Sequence, residues 1–265
     1  MIKAVLFDLD DTLLWDHRSI EEAFEATCLV AKQSYAHIDV MHLQEAVRNA
    51  AKALYSSYPT YDFTKMIGIN PFEGLWARFT GGELPEFREL EKLAPGYRAQ
   101  SWTNGLKTIG INDEALGLAL GDRFRVERIN RPIVYDEVFH VLNELKSHQY
   151  KLLLLTNGVP DLQMEKLAGV PELAPYFDHI VISGAFGVGK PNSAIFEHCM
   201  KLLNIKANEG IMIGDKLTTD ILGSNRVGMP NAWLNRDGIT RTDEIIPRFE
   251  ITDLTQLDHI IKELS

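Results

Sequence analysis

The chain has little sulfur chemistry to draw on, with two cysteines, Cys28 and Cys199, among 265 residues. They lie far apart, both inside helix-like patterns, which argues against a disulfide framework or a zinc site and predicts buried or half-buried free thiols. Long apolar runs are missing too. No segment approaches the roughly 20 residues that cross a bilayer, the longest candidates being short strands near residues 151–155 and 209–214. The opening MIKAVLFDLDD passes from a short apolar run straight into acidic residues, without the apolar stretch and small-residue cleavage site of a signal peptide. The expectation is a soluble, cytoplasmic protein. Positive charge is in deficit, 27 Lys and Arg against 37 Asp and Glu, giving a net charge of -10. Nucleic acid and anionic membrane surfaces are therefore poor partners. An anionic substrate would need local compensation from a divalent cation and a few placed Lys or Arg residues. Internal repeats and low-complexity tracts are absent.

What is present suits a folded chain, 45% hydrophobic and 24% charged, long enough for one large α/β domain or a core with a smaller companion. Residues 18–58 repeat apolar side chains at three- and four-residue steps and read as helices. FEGLWARFTGG, ELPEFRELEKLA, GYRAQSWTNGLKTIG and EALGLALGDRFRVER read as further helices, separated by Gly, Pro and Asn. From about residue 130 the pattern alternates: YKLLLLTN, HIVISG, GIMIGD, PNAWLN and FEITD read as strands, with amphipathic helices between and after them. Short, non-alternating apolar strands separated by helices predict a parallel sheet covered on both faces. The strand at residues 3–8 belongs with that sheet, so residues 16–129 form a helical insertion and residues 1–15 and 130–265 the core.

AVLFDLDDTLL at residues 4–14 is the most informative stretch, an apolar strand ending in Asp8, Asp10 and Thr12. Ligands bind outside the carboxyl ends of the strands in an open parallel sheet. Period-two alternation puts Asp8 and Asp10 on one side of the chain, so that one can serve as nucleophile or metal ligand and the other as proton carrier. Aspartates also close strands as ordinary turn-formers, and the rest of the chain decides between the readings. KLLLL ends in Thr156 and Asn157, GIMIG ends in Asp215 with Asp220 five residues on, and GAFGVGKP puts Lys190 in a loop before a helix. Taken singly, each has an ordinary role as helix cap or solvated lysine. Together they occupy the ends of successive βα units and should converge on one edge of the sheet.

FDLDDTL, LLLLTNG, VGKP and IGDKLTTD, in that order, resemble the four motifs of the haloacid dehalogenase-like (HAD) hydrolase superfamily. The resemblance implies a Rossmann-like core with an inserted α-helical cap similar to the C1 class. It further implies a magnesium-dependent phosphomonoester hydrolase working through an aspartyl-phosphate. Asp8 would be the nucleophile and Asp10 the acid and base. Mg2+ would be held by Asp8, the Asp10 carbonyl and Asp215, and Asp220 would orient the metal shell and Lys190. Thr156, the Asn157 N–H, Lys190 and the N–H groups of Leu9 and Asp10 would bind the phosphoryl oxygens. The second aspartate, Asp10, argues against dehalogenation. Phosphoserine is the leading substrate on this reading, with a sugar phosphate or nucleoside monophosphate next; a phosphosugar mutase and a noncatalytic scaffold are the alternatives. Arg18, Arg78, Arg98, Lys107, Arg123, Trp76 and Trp102 of the insertion receive no role.

Overall fold

Six strands lie parallel in the order β3-β2-β1-β4-β5-β6: β1 (Ala4–Phe7), β2 (Lys151–Thr156), β3 (His179–Ile182), β4 (Gly210–Gly214), β5 (Asn231–Leu234) and β6 (Phe249–Ile251). The computed structural model describes residues 1–241 and 244–264. The chain divides into two units, one of residues 1–15, 133–157 and 170–265, the other of residues 16–132 and 158–169.

The first unit is the Rossmann-like sheet with its helices. β1 reads AVLF and is buried throughout, as a central strand covered on both faces requires. Its last residue, Phe7, is level with Leu154 of β2 and Ile213 of β4. The strand order reverses here, since the chain runs outward from β1 to β3 on one side and from β4 to β6 on the other. Such a switch point opens a crevice beyond the strand ends. On one face Leu6, Leu153 and Met212 pack with Ile195, Phe196 and Cys199.

The second unit is helical: α1 (Asp16–Ser34), α2 (Val40–Ser57), α3 (Tyr61–Ile67), α4 (Pro71–Gly74), α5 (Pro85–Thr108), α6 (Glu114–Ile129) and, from later in the chain, α8 (Pro160–Ala168). The remaining helices belong to the sheet unit: α7 (Val138–Ser147), α9 (Ser183–Phe186), α10 (Ser193–Leu203), α11 (Leu222–Arg226) and α12 (Leu257–Glu263).

Three findings differ from the sequence reading. ELPEFRELEKLA and GYRAQSWTNGLKTIG form one helix, α5, which runs through Pro95. An interior proline costs about 3 kcal/mol, but the buried series Phe87, Leu90, Ala94, Tyr97, Ser101 and Trp102 continues across it, and burial of that stripe outweighs the lost hydrogen bond. FEGLWARFTGG is helical only in its first turn. Leu75, Trp76 and Ala77 are buried in succession, which no helical face permits, and Arg125 Nε and Arg98 Nη2 donate to the Trp76 and Ala77 carbonyls that a helix would have satisfied internally. Residues 158–169, read as part of the core, group with the helices, as do residues 130–132. Val159 and Leu162 join the cluster around Trp76, Trp102 and Phe124. Lys166 lies buried, 3.0 Å from Glu73 and 3.5 Å from Asp16.

Trp76 and Trp102 are fully buried in that helical core. Arg18, Lys107 and Arg123 pair with Glu22, Glu114 and Glu127. Both cysteines are free and buried, and burial pushes each thiol up to about 12. No helix among the described residues is long and apolar enough to cross a membrane.

Candidate active site at the strand ends

Asp8 is the first residue beyond β1, and its N–H donates to the Ile213 carbonyl at 2.9 Å, extending the ladder by one step. Its carboxylate is thereby fixed in the crevice and buried. Lys190 reaches it from the loop between α9 and α10. The ammonium lies 2.5 Å from Asp8 Oδ1 and 2.7 Å from Asp220 Oδ1, and donates to the Leu155 carbonyl at 2.8 Å. Burial alone would lower the Lys190 pKa, but Asp220 and Asp8 outweigh it and hold the ammonium charged.

The Asn157 side chain clamps the backbone of the same lysine. Its Oδ1 accepts the Lys190 N–H at 2.8 Å, and its Nδ2 donates to the Lys190 carbonyl at 2.9 Å. Thr156, fully buried, turns its hydroxyl toward the Asn157 carbonyl at 3.4 Å. Asp215 follows β4, where Trp233 Nε1 donates to its carbonyl at 2.7 Å. Its Oδ1 is buried with no hydrogen-bond partner among the described residues.

Asp220 sits on a π-helical turn, Leu217–Ile221, a wider coil that recurs at functional positions. Gly214 makes room for it: a Cβ at that position would lie 2.3 Å from Asp220 Cγ. Asp10 occupies the loop after β1, where it bridges to Leu14.

The structure thus brings Asp8, Thr156, Asn157, Lys190, Asp215 and Asp220 to one edge. Asp8, Asp215 and Asp220 each direct a carboxylate oxygen to within 4.8 Å of the others. Burial raises the Asp8 pKa, Lys190 works against that rise and Asp220 adds to it; burial also lifts Asp215 well above its ordinary value. Three crowded carboxylates and an orphaned buried oxygen fit a hard divalent cation, which takes oxygen ligands and offsets their repulsion.

Two features escape the sequence reading. The Asn157 side chain acts on Lys190, whereas only its backbone N–H drew attention. Lys216 is surrounded by Asp215, Asp8, Asp10 and Asp220, and Asp215 above all raises its pKa. Its one signal is its place next to Asp215, in a residue type that is usually solvated.

Residues 2–228 match the model of the haloacid dehalogenase-like hydrolase family. The chain belongs to that family. This haloacid dehalogenase-like hydrolase is 31% identical over 256 residues to the phosphoserine phosphatase of Thermus thermophilus, covering 97% of this chain and 98% of that one. It is 29% identical over 273 residues to the glyceraldehyde 3-phosphate phosphatase of Methanopyrus kandleri, covering 100% and 99%. The fold is shared with the HAD-hydrolase YfnB of Bacillus subtilis, solved bound to magnesium, at a TM-score of 0.68 and 24% identity over 98% of each chain. The haloacid dehalogenase-like hydrolases generally use a divalent metal.

Proposed function

We propose that this haloacid dehalogenase-like phosphatase is a magnesium-dependent phosphomonoester hydrolase that works through an aspartyl-phosphate on Asp8, with phosphoserine as its leading substrate. The observation that carries the chemistry is Lys190 held between Asp8 and Asp220 beside Asp215. The full-length likeness to a phosphoserine phosphatase supports the substrate.

Asp8, with one oxygen held by Lys190, attacks the phosphorus through the other, dividing a difficult displacement into two easier ones. Asp10 gives its proton to the leaving alcohol and then takes one from the water that cleaves the aspartyl-phosphate. The Lys190 ammonium, the Thr156 hydroxyl and the N–H groups of Leu9, Asp10 and Asn157 stabilise the phosphoryl oxygens as charge spreads over them. Asp8, the Asp10 carbonyl and Asp215 would hold the magnesium, with Asp220 orienting that shell and Lys190; when bound, the ion neutralises charge on the phosphoryl oxygens. Substrate choice belongs to the helical unit acting as a cap, and the enzyme works in the cytoplasm.

The test is a panel of phosphomonoesters with and without Mg2+. Phosphoserine should give the highest kcat/KM, and chelation should abolish turnover. Preference for glyceraldehyde 3-phosphate, a sugar phosphate or a nucleotide would replace the substrate and leave the chemistry standing. Absence of hydrolysis across the panel, or phosphate transferred to sugar in preference to water, would overturn the proposal.

A further inference from the structure

The loop after Asp8 is secured from outside by a residue that lies in none of the four motifs. Within the loop, Leu13 and Leu14 both donate to the Leu9 carbonyl at 2.9 Å, and Asp11 donates to the Leu14 carbonyl at 2.7 Å. Asp11 adopts φ 58, in the left-handed region that Asp enters more readily than most residues with a Cβ. Two other segments of the sheet unit hold the loop from outside. Tyr135 N–H donates to the Leu13 carbonyl at 3.3 Å, and Arg236 Nη2 donates to the Thr12 carbonyl at 3.2 Å.

Arg236, two residues beyond β5, is itself immobilised. Its Nη2 lies 2.5 Å from Glu137 Oε1, and its Cζ is 3.6 Å above the Tyr135 ring, which stacks on Trp15 with centroids 5.0 Å apart and planes at 18°. The Arg236 and Glu137 side chains are 16% and 14% exposed. Arg236 Nε is buried without an acceptor among the described residues, a cost that an ordinary surface ion pair does not bear. A planar fork that stacks, pairs and donates at once is a demand that lysine does not meet.

We infer that Arg236 is a positioning residue: through the Thr12 carbonyl it fixes the loop of residues 9–14, and so sets the angle at which Asp10 meets the substrate oxygen. The inference rests on the acid and base role proposed for Asp10. Small misplacements of such a group cost on the order of a hundredfold in rate.

The experiment combines amide hydrogen exchange with steady-state hydrolysis of p-nitrophenyl phosphate in Mg2+, for wild type, Arg236→Gln, Arg236→Lys and Glu137→Gln. Arg236→Gln should speed exchange at Leu13 and Leu14 by about tenfold or more while β1 keeps its protection. Its kcat should fall about 10- to 100-fold with KM within about twofold. Arg236→Lys should recover part of the loss and Glu137→Gln should show a smaller one. Should the Arg236 variants not fold, Glu137→Gln carries both readouts. Unchanged exchange in the loop overturns the inference, as does faster exchange with unaltered kcat. An inactive wild type would defeat the phosphatase reading and the Asp10 role, while the exchange still decides whether Arg236 holds the loop.

Discussion

The Lys190 ammonium donates to Asp8 and the Leu155 carbonyl and forms an ion pair with Asp220. On the proposed chemistry a phosphoryl oxygen entering the site competes with these contacts. On this geometry two substitutions that both abolish activity should differ in stability. Asp8→Asn keeps an oxygen for Lys190 and changes little volume, so kcat should fall by on the order of a thousandfold or more with the melting temperature nearly unchanged. Lys190→Met leaves Asp8 and Asp220 buried without their cation and should also destabilise the protein by about 3–5 kcal/mol, measurable by urea denaturation. Asn157→Ala removes both bonds to the Lys190 backbone, and kcat should drop about tenfold or more with less effect on KM, read by steady-state kinetics. Asp8 and Asp215 were legible because each follows an apolar strand, and Lys190 and Asp220 because they lie in the loop and helix of βα units. The side-chain role of Asn157 was not, nor were Lys216 and Arg236. Their roles depend on which backbone group or charge lies opposite, and spacing along the chain carries no record of that.

Strands were the easiest elements to read. AVLF and LLLL are apolar without alternation, a pattern that suits interior parallel strands, and all of their residues are buried. Helix α5 was harder, because Pro95 and Gly96 look like punctuation until the buried stripe on either side is seen to be continuous. The segment after α4 reversed the problem, its apolar content suggesting a helix that the Trp76 and Ala77 carbonyls do not join. Helix α8 carries the clearest energetic consequence at this scale. Lys166 is 1% exposed between Glu73 and Asp16, themselves 3% and 7% exposed. Lys166→Met should therefore cost about 3–5 kcal/mol by stranding the buried Glu73 carboxylate, whereas Asp16 keeps its pair with Arg128. Lys166→Met combined with Glu73→Gln should recover part of that loss, and chemical denaturation of the pair would show it.

Each of the two units has a core thiol and no disulfide among the described residues, Cys28 in the helical unit and Cys199 against the sheet. Burial raises both thiols from 9.0 to about 12. Folded chains should thus resist iodoacetamide at pH 8, and unfolding should expose two sites, countable by mass spectrometry. The sign of the alkaline response follows from the same shift. Between pH 9 and 12 the folded state keeps protons that the unfolded state releases, so the thiol contribution is whole below pH 9 and is lost as pH rises toward 12. Tyr55 and Tyr97, also raised by burial, act in the same direction. Thermal melts from pH 8 to 11 should show the decline, and a shallower one in the Cys28→Ala, Cys199→Ala double variant.

The helical unit is assembled from two separate lengths of chain, residues 16–132 and residues 158–169. Recombination that exchanges the first length alone between relatives would deliver a graft without the helix that fills part of its core and neutralises Glu73. With substrate choice assigned to this unit as proposed, a new specificity gained by shuffling would have to move two gene segments together.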